Sequence, residues 1–275
     1  MSRRLCAISV LLSVLAVPLH PQTSRADVLP VDVELVLAVD VSLSMDLEEQ
    51  ALQREGYAAA FRDPQIIAAI KSNVHGRIAV TYVEWAGVGN LKLTIPWMLI
   101  DSVAAGEAFE ARLRAEPISR WRKTSISSGL LFAAKQFEGS NYKGERRVID
   151  ISGDGPNNDG PPVESVRDRL VSEGIVINGL PLLLKAPQGW FDLLNLDEYY
   201  EDCVIGGTGS FSIPVRRREE FVASVKRKIL LEVSSLAPRL VPVQAPGIEK
   251  PQVRKRVDCL IGERLWQRYF GRGTF

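Results

Sequence analysis

Histidine and cysteine are scarce in this chain of 275 residues, with two of the former and three of the latter. His20 lies in an N-terminal apolar segment, which leaves His75 alone, in a loop-like "NVHGR" stretch. One histidine without a neighbouring serine and acid gives no Ser-His-Asp relay. A histidine- or thiolate-rich zinc site is equally out of reach. Charge of one sign is also missing: 34 Lys and Arg against 33 Asp and Glu give a net +1. That balance lacks the basic surplus of a nucleic-acid binder, and no nucleic acid partner is expected. The glycine run "GGTGS" at 206–210 has no Lys-Ser ending, so it reads as a turn and not as a phosphate loop. No internal repeat is visible.

The longest apolar run, residues 5–19, is short for a membrane span and follows Arg3 and Arg4. Ser24 and Ala26 then offer small residues at the two positions a signal peptidase reads. Residues 1–26 are therefore expected to be a secretory signal peptide, giving a periplasmic or secreted protein with no stable membrane insertion after cleavage; an uncleaved N-terminal anchor is the alternative. Export changes the meaning of the cysteines. Cys6 leaves with the leader, and Cys203 and Cys259 remain as a pair in an oxidising compartment. A disulfide between them is the simplest expectation, with two buried free thiols as the alternative.

From residue 31 strands and helices alternate. "VELVLAVDV" (33–41) is a continuous apolar run, as in a strand covered on both faces. "DLEEQALQREGYAAAF" begins with Asp46 three residues ahead of Glu49, a capping-box spacing. Strands are expected at 77–87, 91–100, 146–152 and 175–184, a final one at 210–215, and helices at 103–116, 125–139, 163–174, 191–204 and 218–236. Pro96 places the 91–100 strand at an edge. The pattern predicts an α/β fold with a doubly wound, mostly parallel central sheet and helices on both faces, over residues 31–236. Residues 237–275 read as a proline-rich linker and a basic, aromatic tail, expected to pack through Leu260, Trp266 and Phe270 and to be fixed by Cys259, with an interaction arm for an acidic partner or membrane surface as the alternative.

In such a sheet, ligands sit beyond the carboxyl ends of the strands. Three segments put oxygen-bearing side chains there: "DVSLS" with Asp40, Ser42 and Ser44, "KTSISSG" with Thr124, and "ISGDG" with Asp154. Each residue has a plainer role open to it, since Asp, Ser and Thr commonly cap helices and occupy turns. Together they make two carboxylates and three hydroxyls, a hard donor set that suits Mg²⁺ or Mn²⁺, with Ca²⁺ as a further candidate.

The Asp40-x-Ser42-x-Ser44, Thr124, Asp154 series resembles the metal-ion-dependent adhesion site of von Willebrand factor A domains, and the chain looks similar to an uncharacterised exported bacterial family of them. The resemblance implies that the five residues hold a divalent cation, which in turn holds a carboxylate presented by a protein partner. Gly153 stands where that family usually has a threonine before the aspartate. The competing resemblance is to haloacid-dehalogenase-type phosphatases, with Asp40 as nucleophile and Mg²⁺ at the "GDGPNND" loop. There the second residue after the nucleophile is an acid; here it is Ser42, a poor proton donor to a leaving alcohol. A third reading is an interaction domain whose metal site is vestigial.

Overall fold

A strand longer than the apolar run that announces it, β1 (Leu29–Asp40), forms the middle of the sheet. The computed structural model describes residues 28–185, 193–234 and 254–270. The expected signal peptide and proline-rich linker lie outside the described residues. Along β1 the side chains divide by parity: Val33, Leu35, Leu37 and Val39 enter one core, Val36 and Ala38 the other. That is why the sequence shows no polar alternation here; both faces are dry.

Strands β2 (Ile78–Trp85) and β4 (Tyr142–Gly153) flank β1 in parallel, β5 (Ile175–Pro181) continues in parallel, and β3 (Leu91–Ile100) lies antiparallel on the β2 edge. The order is β3-β2-β1-β4-β5. The chain thus goes from β1 to one side and returns to the other, which makes the carboxyl ends of β1 and β4 the switch point where a crevice opens. Helices α1 (Leu47–Phe61), α2 (Pro64–Lys71), α3 (Val103–Ala115) and α7 (Phe221–Val233) cover the first face. On the second lie α4 (Ile126–Gln136), α5 (Val163–Ser172) and the short α6 (Leu196–Tyr199), which runs on as a π-type turn over Tyr200–Val204. The doubly wound α/β expectation holds, as does the edge position of the Pro96 strand.

Several local expectations are corrected. Helix α2 is not among the expected helices, although Asp63 caps it and Pro64 occupies its first turn. The 210–215 segment makes only isolated bridges, Ser212 with Gly179 of β5 and Val215 with Leu182 just past its end; Pro214 has no N–H to give a ladder. β5 itself stops at Pro181 and not at Leu184. The C-terminal tail does not pack through Leu260 or Phe270, which are 37% and 55% exposed. Cys259 and Gly262 are its buried residues, at the start of helix α8 (Ile261–Phe270). Phe270 packs on Trp266 of its own helix, ring centroids 4.4 Å apart, and the close approach of Gly262 to the Asn157 carbonyl holds the helix down.

Sequence patterning also gave no hint of the charges inside. Glu84 of β2 is fully buried and meets Arg54 of α1 at 2.6 Å. Lys228 of α7, fully buried, lies 2.7 Å from Asp150 of β4 and 2.5 Å from Glu232.

Candidate metal centre

Asp40 is the last residue of β1, and its carboxylate is wholly buried. Oδ1 accepts a hydrogen bond from the Ser42 amide at 2.7 Å, which turns the chain sharply off the strand. Oδ2 is buried with no hydrogen-bond partner. The chain beyond is not loose: the Leu43 amide donates to the Trp121 carbonyl at 2.8 Å and the Trp121 amide to the Val41 carbonyl at 3.1 Å. Those two bonds lay the first loop against the loop that carries Thr124.

Ser42 and Ser44 bring their hydroxyls within 2.8 Å of each other, and Ser44 donates to Asp154 Oδ1 at 2.7 Å. Asp154 follows β4 directly, so β1 and β4 present their terminal acids side by side. Thr124 is buried just ahead of α4. Its amide donates to Asn158 Oδ1 at 3.0 Å, and the Asn158 amide donates back to the Thr124 carbonyl at 2.9 Å. A Cβ placed on Gly155 would come 4.0 Å from Thr124 Oγ1, which sets the threonine hydroxyl beside the Asp154 loop. The three loops singled out in the sequence therefore meet at one end of the sheet.

Burial pushes the Asp40 carboxyl well above the usual carboxylate range, and the negative charge of Asp154 adds to it. Two acids facing one another, one of them dry and missing a partner, form an electrostatic deficit. A hard cation among these oxygens would relieve it, so the residues present fit one. Among the described residues, no three His, Cys, Asp or Glu side chains gather as a metal cluster. Any ion here relies on the hydroxyls as well as the two acids.

Gly153 is explained by packing. A Cβ at this position would lie 2.8 Å from Asp40 Oδ2, 3.0 Å from the Tyr200 hydroxyl and 3.2 Å from the Trp85 ring. No threonine fits, and the tyrosine hydroxyl stands on that side of the aspartate instead. Tyr200 is fully buried, its hydroxyl has no hydrogen-bond partner, and burial drives its pKa upward, with the Asp40 charge as the next cause. Sequence reading missed Tyr200 and Asn158. Asn158 was within reach of it, since a "GPNND" turn advertises side chains able to bond backbone; Tyr200 had no signal, being 47 positions from Gly153 by subtraction of their numbers.

The other sequence candidates fall elsewhere. His75 lies at the opposite end of the sheet, its ring 3.1 Å from Glu145 and its amide on Asp32. Gly207 and Gly209 take φ of +95° and +78°, as a turn requires. Cys203 and Cys259 form a disulfide with Cα atoms 5.5 Å apart.

Residues 30–237 match the family described as "Protein of unknown function (DUF1194)". The chain belongs to this family. No curated protein is significantly similar to this DUF1194 chain. Solved structures share its fold. One is proximal thread matrix protein 1 from the mussel byssus with a zinc-occupied MIDAS motif: 13% identity, 73% of this chain and 48% of that one, TM-score 0.53. Another is the vWF domain of the type V pili tip protein Mfa5 from Porphyromonas gingivalis: 9% identity, 72% and 94% coverage, TM-score 0.52. A third is a von Willebrand factor type A protein from Catenulispora acidiphila: 11% identity, 74% and 43% coverage, TM-score 0.50. The DUF1194 chain spans less than half the length of the mussel and Catenulispora proteins. At these identities the shared property is the fold, that of a von Willebrand factor A domain.

Proposed function

We propose that the protein is an exported, divalent-cation-dependent binding module for a protein partner that presents a carboxylate. Asp40, Ser42, Ser44, Thr124 and Asp154 would hold Mg²⁺ or Mn²⁺, with Ca²⁺ as a further candidate. The observation that carries this reading is the convergence of three loops on a buried, partnerless Asp40 oxygen beside Asp154. Two carboxylates only balance a divalent charge, so a bound ion keeps attraction for a third acid, supplied from outside. The metal-occupied motif in the mussel protein and the pilus-tip setting of the Porphyromonas domain lend support by analogy. Export rests on residues 1–26; among the described residues no helix is long and apolar enough to cross a membrane.

Recognition is favoured over catalysis by the residue chemistry. A phosphatase of the haloacid-dehalogenase kind needs a proton donor two positions after its nucleophile, and Ser42 spends its place beside Ser44 instead. Calorimetric titration with Mn²⁺ tests the reading. Saturable binding by the wild type, lost in Asp40→Ala and in Asp154→Asn, is the expected result; an unchanged titration in both variants overturns it. In a phosphatase screen with Mg²⁺ no turnover sensitive to Asp40→Asn is expected.

A further inference from the structure

Helix α8 lies beyond the segment matched to the family, which ends at residue 237, yet it reaches the rim of the candidate centre. Its approach is over-determined. Cys259 is bonded to Cys203 of the π-type turn, and the Val257 amide donates to Asp202 at 2.7 Å. Asn157 Nδ2 donates to Glu263 at 2.7 Å, and Gly262 sits so close to the Asn157 carbonyl that a Cβ would collide with it. Asn157 adjoins Asn158, the residue that fixes Thr124. The tail is thus anchored to the loop that shapes the site.

Three residues past Glu263, on the same side of the helix, Trp266 lines a cavity of about 240 Å³. Ser42, Ser44 and Thr124 line it too, and Leu43, Arg122, Lys123 and Asn158 complete its walls. The Lys123 ammonium lies 5.5 Å from the indole centroid and 2.9 Å from Asp159, within cation–π and ion-pair range. Lys123 is also the one described non-glycine residue with positive φ, +67°, a conformation that costs free energy and is held here by its surroundings. Leu43, 46% exposed, stands between the two serines on the outer side of the loop.

We propose that α8 forms part of the partner-binding surface, with Trp266 as a specificity-determining residue. The partner is a protein segment carrying a large apolar side chain next to its acidic one. The inference rests on the metal-dependent reading above. A carboxylate that approaches Ser42, Ser44 and Thr124 through this largely apolar cavity passes Leu43 and the indole, while Arg122 at the same mouth repels a basic neighbour. An aliphatic or aromatic side chain flanking the acid buries area against Leu43 and Trp266; a charged or small one does not.

The test uses the full oxidised chain on an array of short peptides with a central Asp or Glu and varied flanks, probed in Mn²⁺ and in EDTA. Peptides that bind only in Mn²⁺ are expected to carry Leu, Ile, Phe or Tyr beside the acid. For these, Trp266→Ala and Leu43→Ala each weaken binding by about tenfold or more, as expected for an apolar anchor. Trp266→Phe retains most of it, Arg264→Ala on the same helix leaves it unchanged, and the Mn²⁺ titration is the same in all four. Mn²⁺-dependent peptides bound equally well by Trp266→Ala and Leu43→Ala overturn the proposal. Tighter binding by Trp266→Ala also overturns it, since the helix would then cover the site. Normal Mn²⁺ uptake with no Mn²⁺-dependent peptide at all rejects the carboxylate-binding function itself, and absent Mn²⁺ uptake rejects the metal centre.

Discussion

At Gly153 the absence of a side chain carries as much weight as any group in the site. The Asp40 carboxylate, the Tyr200 hydroxyl and the Trp85 ring crowd the volume a Cβ would take. Gly153→Thr, which installs the residue the adhesion-site resemblance leads one to expect here, is therefore expected to damage this protein. Overpacking of this kind costs about 1–3 kcal/mol, and displacing Asp40 should weaken Mn²⁺ binding as well; denaturant unfolding and calorimetry read the two effects separately. The candidate residues were legible as a group: Asp40, Ser42, Ser44, Thr124 and Asp154 stand at chain positions that strand ends and helix starts make conspicuous, and the fold brings their loops to one end of the sheet. Tyr200 was not legible, because its meeting with Gly153 depends on how α6 and its π-type turn lie over the sheet.

Between the elements, capping and buried charge fix how helices meet strands. Asp46 begins α1 with a full capping box: its side chain accepts from the Glu49 amide at 2.8 Å, and Glu49 accepts from the Asp46 amide at 2.9 Å. This box starts the helix immediately after the Ser42–Ser44 turn, and Asp46→Ala should cost about 1 kcal/mol in unfolding free energy. Helix α7 is pinned to β4 by Lys228, whose fully buried ammonium meets both Asp150 and Glu232. Removing the cation alone would strand two acids, so Lys228→Met is expected to lose about 3–5 kcal/mol. Burial, with Asp150 as the next cause, pushes the Glu232 carboxyl from an ordinary 4.5 up to about 8. In that window the unfolded chain releases this proton and the folded one keeps it. The Glu232 contribution to stability accordingly declines as pH rises from about 4.5 to 8 and is constant above. Urea melts across this range should show the slope in the wild type and a flatter profile in Glu232→Gln.

For the molecule as a whole, the two cores on either face of β1 supply enough buried apolar surface for folding without a metal. Unfolding in EDTA is expected to remain cooperative, and Mn²⁺ should raise the midpoint only by its binding energy. The disulfide joins residues 56 apart in sequence. Closing such a loop is worth ~4 kcal/mol in the chain-entropy model, so Cys203→Ser with Cys259→Ser should unfold at distinctly lower denaturant. Composition and periodicity by themselves determined that this chain is an α/β sheet protein with hydroxyls and two acids at its strand ends, because strand burial and turn chemistry are local properties of consecutive residues. Tertiary structure alone decided that β1 lies at the switch point, that a tyrosine hydroxyl stands beside Asp40, and that Trp266 arrives at the mouth of the site. Those facts depend on which distant segments meet, and packing, buried charge and one disulfide bring them together from positions that no local pattern connects.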